Sequence, residues 1–336
     1  MKLNTTDFQK SLKIARAAVA HTELIDQATS FIFKDGFVIG YNDEICISVP
    51  VDGLDAEGAV KADALYNYVS KLKKPEMELK TTPKEMQIKS GRSRAGLPLN
   101  TEVIVPLDQI TPPGKWKDLP QDFMNYVRMA AGATATDQTM PKLTCVDVRK
   151  EGIITGSDNF RILQCIMDEF EFDGFLIPAS SVKVAASLQP TRISVTKEWV
   201  HLENDEAVQI SCRTYPEQYD DVTEFMGVEG LQFTFPRTFN EVMDRTRVFA
   251  QMDVTQDEEV KVTVGNNRIK ITAKNESGWA SEEINHATDD EPFSFTIIPY
   301  LLKDILKRTD TCTVSETALL FQGEGWKYVS ALIDME

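Results

Sequence analysis

A pattern of residues that recurs at an offset of 116 constrains this chain more than any other feature. Lys34-Asp35-Gly36-Phe37-Val38-Ile39-Gly40-Tyr41-Asn42-Asp43 reads basic, acidic, Gly, two apolar residues, one further residue, Gly and a polar turn. Lys150-Glu151-Gly152-Ile153-Ile154-Thr155-Gly156-Ser157-Asp158-Asn159 reads the same way. A repeat of this length sets the architecture before any local signal does.

Two further sets follow the same spacing. An extended entry opens into a helix at Val60-Lys61-Ala62-Asp63-Ala64-Leu65, at Ile177-Pro178-Ala179-Ser180-Ser181-Val182 and at Ile298-Pro299-Tyr300-Leu301-Leu302. Pro178 and Pro299 suit a first helical turn, where a missing N–H costs nothing, and Asp63 and Ser180 can satisfy orphan amides there. A strand, turn, strand, turn, strand series falls at 77–99, 192–213 and 311–333. In its second copy, Ile193, Val195, Val200, Leu202, Val208 and Ile210 alternate as half-buried strands do. Ser90-Gly91, Asn204-Asp205 and Gly323-Glu324-Gly325 supply the turns.

A leading helix opens each copy, at about 6–20, 120–134 and 236–250. The expected fold is therefore α+β: three repeated domains, each with two helices packed on antiparallel sheets. Joins near Pro112-Pro113 and from Gly227 to Gly230 place the domains at 1–115, 116–229 and 230–336. A length of 336 residues suits several cores rather than one.

Charge follows the repeat. In the first helix Phe8, Leu12, Ala15 and Val19 share one face, and Lys10, Lys13 and Arg16 fall away from it. The second helix carries Lys61, Lys71, Lys73 and Lys74. The third and fourth supply only Arg128 and Lys183. The fifth turns Phe239, Val242, Met243 and Phe249 inward and Arg237, Arg245 and Arg247 outward. The sixth buries Leu302, Ile305 and Leu306 and exposes Lys303, Lys307 and Arg308. Over the six segments (6–20, 61–74, 120–134, 178–189, 236–250 and 299–310) there are 15 basic and 7 acidic residues, a balance of +8. The net charge is −16, which leaves −24 for the remainder. A uniformly acidic protein repels nucleic acid, but a basic helical surface within an acidic shell attracts a phosphate backbone and reads no base sequence.

Little in the chain points to catalysis. It has no P-loop, no G-x-G-x-x-G after a strand, no H-E-x-x-H and no G-x-S-x-G. His21, His201 and His286 are scattered, as are Cys46, Cys145, Cys165, Cys212 and Cys312, with no C-x-x-C pair. This predicts buried thiols, no disulfide framework, no metal and no cofactor. The acidic runs at 253–259 and Asp289-Asp290-Glu291 lack the alternation and turn glycine of a calcium loop. No run of 18 apolar residues exists, and MKLNTTDFQKSLK turns charged at once, without the apolar stretch of a signal peptide. A cytoplasmic protein that is not an enzyme is expected.

Three repeats, two helices in each, basic helices and an acidic remainder together resemble the β sliding clamp of bacterial replicative DNA polymerase. Gly156-Ser157-Asp158-Asn159-Phe160-Arg161-Ile162-Leu163 is similar to that family's A-T-D-G-H-R-L stretch. Tyr215-Pro216-Glu217-Gln218-Tyr219-Asp220-Asp221-Val222 is similar to its F-P-D-Y segment with one residue added, and Arg92-Ser93-Arg94 also fits. The resemblance implies a processivity factor for DNA replication: two subunits close head to tail into a ring, duplex DNA passes through a helix-lined hole, and a polymerase is tethered. It implies an interface of Ala95 and Leu97 against Val248 and Phe249 of a second copy. It also implies an apolar groove for short peptides of polymerase and clamp loader, formed by Leu143, Ser157, Asn159, Phe160, Arg161, Ile162, Pro216, Val222, Val329, Ala331 and Ile333.

Asn159 stands where the family usually has Gly, and Phe160 where His is common. The chain ends Leu332-Ile333-Asp334-Met335-Glu336 rather than in an apolar, basic tail. These departures suit a divergent, viral version of the family. The competing readings are a clamp-related scaffold that does not encircle DNA and an acidic DNA-mimic inhibitor; the +8 helix balance opposes the second.

Overall fold

The computed structural model describes residues 1–23, 25–287 and 291–333. The first repeat runs β1 (Lys2–Asn4), α1 (Thr5–Ala15), β2 (Ser30–Lys34), β3 (Phe37–Tyr41), β4 (Ile45–Pro50), β5 (Gly58–Lys61), α2 (Ala62–Val69), β6 (Glu76–Thr82), β7 (Glu85–Ser90) and β8 (Ser93–Pro98). A short α3 (Leu107–Ile110) and β9 (Lys117–Asp118) lead on to α4 (Phe123–Ala131), β10 (Cys145–Val148), β11 (Ile153–Ser157) and β12 (Arg161–Ile166). There follow β13 (Phe175–Pro178), α5 (Ala179–Ser187), β14 (Arg192–Val195), β15 (Trp199–Glu203) and β16 (Gln209–Arg213). The last third holds β17 (Leu231–Thr234), α6 (Phe239–Thr246), β18 (Val260–Gly265), β19 (Arg268–Asn275) and β20 (Gly278–Asn285). It closes with β21 (Phe293–Ile297), α7 (Tyr300–Lys303), β22 (Thr311–Val314), β23 (Ala318–Gly323) and β24 (Trp326–Ala331).

These elements form two compact units. One comprises Met1–Ala131, Cys145–Lys150 and Glu169–Gln218; the other comprises Gly132–Thr144, Glu151–Asp168 and Tyr219–Glu336. The first contains a sheet in the order β1-β6-β7-β8 and a longer one in the order β5-β2-β3-β4-β16-β15-β14-β9. The second contains the strand order β11-β12-β24-β23-β22-β17 and the sheet β20-β19-β18-β21. Every pairing recorded within them is antiparallel, including β4 with β16 and β12 with β24. Among the described residues, β8 and β20 each end a sheet with one edge unpaired.

The recurring glycines have local causes. Gly36 and Gly152 sit at φ 81° and 83°, the left-handed region that side chains with a Cβ avoid. Gly40 serves a close approach instead: a Cβ there would lie 2.0 Å from the Ala15 carbonyl oxygen, so α1 seats directly on β3.

Helix α1 begins where Asn4 Oδ1 accepts from the amides of Thr6 and Asp7, at 2.9 and 3.1 Å. Its buried face carries Phe8, Leu12 and Ala15, all fully enclosed. Complete burial of one such aromatic or leucine contributes about 1.5–3 kcal/mol. The helices are shorter than their apolar spacing suggests. α1 passes at Arg16–Ala18 into a 3-10 turn, α6 does so at Arg247–Phe249, and the last helix divides into α7 and a turn at Ile305–Lys307. A 3-10 turn keeps side chains three apart on one side, so periodicity alone continues through it.

In the second unit Val260, Val262 and Val264 on β18 face Ile269 and Ile271 on β19, all fully buried. Phe235 meets Phe239 edge-on at 4.6 Å and stacks on Phe321 at 6.1 Å. The acidic positions Asp289 and Asp290 and the terminal Asp334, Met335 and Glu336 lie outside the described residues.

Candidate functional site

The basic residues singled out on the helices are solvent-exposed, apart from Arg247, which is half-buried. Their surroundings differ. Lys10 Nζ meets Glu206 at 2.7 Å, and Arg16 meets Asp63 at 2.9 Å while lying over the ring of Tyr66. Lys61 is held by Glu23 and by the Thr29 hydroxyl. Arg245 binds Glu282, and Arg247 binds the buried Glu258 at 2.7 Å. Lys303 reaches Asp244 at 3.4 Å and Lys307 reaches Asp304 at 2.7 Å. Lys13, Lys71, Lys73, Lys74, Arg128, Lys183, Arg237 and Arg308 enter no ion pair among the described residues. Apart from Arg247–Glu258, whose carboxylate is buried, these pairs are exposed and contribute about 0–1 kcal/mol each, so they exchange readily with other anions.

The helices associate within each unit. Gln9 on α1 donates to the carbonyls of Val69 and Leu72, which pins α1 against the end of α2. α4 packs on α5. The Lys303–Asp244 pair joins α7 to α6. Each unit thus carries its loosely held cations on paired helices.

A separate site lies wholly within the second unit. Nine of the eleven residues expected in the groove line one cavity of about 690 Å³: Leu143, Ser157, Asn159, Phe160, Arg161, Ile162, Val222, Val329 and Ala331. Pro216 is exposed and does not line it, and neither does Ile333, which bridges to Thr296. Sequence reasoning missed Glu224, Phe225, Val228 and Ala318 on the same wall. The signal was present as apolar residues at 222, 225, 226 and 228, a spacing that a short helical turn brings to one side.

The cavity floor is the β12–β24 ladder, where Ile162 stands opposite Val329. The β11–β12 turn forms one end. Asp158 Oδ1 accepts from the amides of Phe160 and Arg161, and the Ser157 hydroxyl donates to the Arg161 carbonyl at 2.8 Å. Asn159 adopts φ 74°, which asparagine and glycine tolerate best, so this turn keeps its shape with Asn in place of Gly. Behind the turn, Arg161 pairs with Asp158 at 2.9 Å, and Tyr300 donates to Asp158 at 3.1 Å. Burial first, then the Asp158 carboxylate, pushes the Tyr300 hydroxyl above its usual range, which keeps it a donor. A second cavity of about 740 Å³ adjoins this turn and shares Leu143, Asn159, Phe160 and Arg161 with the first.

The wall is apolar below and acidic at the rim. Leu143, Val222 and Val329 are buried, Phe225 is 54% exposed, and Glu224 and Glu229 face solvent. Such a surface can bury apolar groups and discriminate between ligands by charge. The five cysteines are buried and free. Burial raises the thiols of Cys46, Cys165, Cys212 and Cys312 to about 12, so they remain protonated. No group of three or more His, Cys, Asp or Glu side chains among the described residues is placed to hold a metal. No helix is long and apolar enough to cross a membrane.

No protein-family profile and no curated protein matches the sequence. Solved structures match it along its full length. The DNA polymerase III β subunit from Thermotoga maritima is 19% identical, with a TM-score of 0.82 over 100% of this chain and 99% of that one. The DNA polymerase sliding clamp from Bacillus subtilis is also 19% identical, with a TM-score of 0.84 and the same coverage. The sliding clamp from Bartonella birtlesii bound to griselimycin is 17% identical, with a TM-score of 0.86 over 100% and 99%. At these identities the likeness establishes the fold, which is that of the sliding clamps.

Proposed function

We propose that this protein is a DNA sliding clamp subunit with no chemistry of its own. Two copies join head to tail, β8 of each against β20 of the other, and enclose duplex DNA. The three repeats act as its three domains, and the groove on β12 and β24 holds peptides of a polymerase and of a loader. The observation that carries this reading is the charge segregation, +8 on the helices against −24 elsewhere, in a chain with the clamp fold along its whole length. Lysines and arginines that are exposed and loosely paired give weak, salt-sensitive phosphate contacts, which is what sliding requires. Tethering then raises the local concentration of a polymerase at the primer end.

A second reading has a specific observation in its favour. Lys10, Arg16, Lys61, Arg245, Arg247, Lys303 and Lys307 are already matched by carboxylates, as in a scaffold that holds partners without encircling DNA. Solution mass together with retention on DNA separates the two. A dimer that stays on nicked circular DNA after loading and runs off once the circle is linearised supports the clamp. A monomer indifferent to DNA topology supports the scaffold.

A further inference from the structure

One junction recurs three times along the chain, and at its third occurrence it opens. A backbone amide at or just ahead of a leading helix donates to a carbonyl beyond the second helix: Thr5 to Pro75 at 2.9 Å, Leu119 to Thr191 at 2.8 Å and Phe235 to Asp310 at 2.7 Å. At the first junction the chain supplies its own acceptor, because Asn4 Oδ1 takes the amides of Thr6 and Asp7. At the third, Thr238 ahead of α6 makes no side-chain cap, and the segments 235–240 and 306–310 stand around a cavity of about 320 Å³.

Two of its lining residues fix its shape. Phe235 and Phe239 are buried and meet edge-on at 4.6 Å. The polar lining comes from both segments, Arg237 and Asn240 from one and Lys307, Arg308, Thr309 and Asp310 from the other. Lys307 is matched by Asp304 at 2.7 Å, and Asp310 takes the Thr311 hydroxyl at 3.2 Å. Arg237 and Arg308 enter no ion pair among the described residues. Two guanidinium groups without a carboxylate of their own thus line one small space, and their mutual repulsion is relieved when an anion joins them.

The donors select the anion. An arginine presents a planar fork that fits carboxylate or phosphate. Here two forks, with Asn240 and Thr309 between them, come from opposite segments, and several directions of approach suit the tetrahedral oxygens of phosphate better than a flat carboxylate.

We infer that this cavity holds a single phosphate group. The group belongs to a DNA backbone or to a free phosphate compound, and the chemistry that recognises it is the same. The DNA source rests on the reading of the helices as the DNA path. A phosphate seated there is a localised contact, unlike those offered by the dispersed lysines of α1 and α2.

The test uses the full-length protein and two charge-matched variants, all substituted at exposed positions: Arg237→Gln/Arg308→Gln in the cavity, and Lys261→Gln/Lys270→Gln on β18 and β19 as the control. Binding of inorganic phosphate is read from its phosphorus NMR line width, with chloride and acetate as competitors at equal ionic strength. DNA binding is read from the fluorescence anisotropy of a labelled duplex. Wild type and the lysine variant should broaden the phosphate signal, the arginine variant should not, and chloride and acetate should displace phosphate poorly. With a DNA backbone as the source, duplex affinity falls about tenfold in the arginine variant, a change of about 1.4 kcal/mol, and by less than about twofold in the lysine variant. Lost phosphate binding with unchanged duplex affinity assigns the cavity to a free phosphate compound. No phosphate binding by wild type, binding that survives in the arginine variant, or equal displacement by acetate overturns the inference. A wild-type protein that binds phosphate in the cavity but no duplex sinks the clamp reading and leaves this one standing.

Discussion

Arg161 Nε lies 2.9 Å from Asp158 Oδ2, and the two side chains are only 12% and 9% exposed. The guanidinium Nε makes no well-aligned hydrogen bond, so the attraction is chiefly one of charge on charge. Tyr300 joins it from both sides, donating to Asp158 and lying 5.1 Å beneath the guanidinium. Removing one partner leaves a buried charge uncompensated, which typically costs about 3–5 kcal/mol. Asp158→Ala should therefore destabilise the protein by about that much in urea unfolding, and adding Arg161→Met should recover a large part. An Asp158→Ala protein as stable as wild type would mean that solvent reaches Arg161 and that this end of the groove is not closed.

The unpaired cations give the second prediction. Lys13, Lys71, Lys73 and Lys74 lie on or next to α1 and α2 and enter no ion pair among the described residues, whereas Lys10 is held by Glu206. Changing these four to glutamate should shorten retention on nicked circular DNA and flatten its salt dependence, by a slope of about 0.9 for each phosphate no longer neutralised. Lys10→Glu alone should matter less, because its charge is already matched. Unaltered retention in the quadruple variant, with an unchanged unfolding midpoint, would remove α1 and α2 from the DNA path.

The repeat was legible because its signals are steric. Gly40 has no room for a Cβ against Ala15, and Gly36 and Gly152 occupy left-handed backbone, so the spacing survives even where the apolar residues around it change. Helix ends were less legible. Arg16–Ala18 and Arg247–Phe249 continue the apolar spacing of the preceding helices in 3-10 geometry, which periodicity does not distinguish. The segment that covers the groove, 219–229, was not legible as such. Seven groove residues could be placed from the β11–β12 motif and the last strand, and Val222 from the 215–222 segment, whereas Phe225 and Glu224 required knowing how the covering turn lies.

His201 supplies a pH dependence. Its ring is 1% exposed, with Nδ1 2.8 Å from the Ser211 hydroxyl, and burial lowers its pKa to about 4. The unfolded chain binds this proton near the ordinary value of about 6.5. Between these values the unfolded state holds more protons, so the contribution is fully present above about pH 6.5 and is lost as pH falls towards 4. The shift corresponds to about 3 kcal/mol. Urea unfolding at pH 7.5 and pH 4.5 should show a smaller acid loss in His201→Gln than in wild type, by up to that amount. Equal losses in both would place the acid sensitivity in the carboxylates.

The open strand edges lead to the last prediction. On β20, Trp279 is 69% exposed, and Val248 and Met252, which follow α6, are 54% and 53% exposed. Phe249 closes over the start of the strand, where a Cβ on Gly278 would lie 3.1 Å from its ring. On β8, Ala95 and Leu97 are half-buried along a strand with no outer neighbour among the described residues. An exposed edge with apolar residues is a template for pairing, and two different edges on one chain favour a head-to-tail association that closes when the geometry allows. A buried tryptophan is the side chain most often found to dominate such interfaces, at about 2 kcal/mol or more on truncation. In the proposed head-to-tail dimer, Trp279→Ala and Leu97→Asp should each shift the sedimentation velocity to that of a monomer, with the far-ultraviolet circular dichroism unchanged. A double variant still dimeric at micromolar concentration would show that these edges do not form the interface.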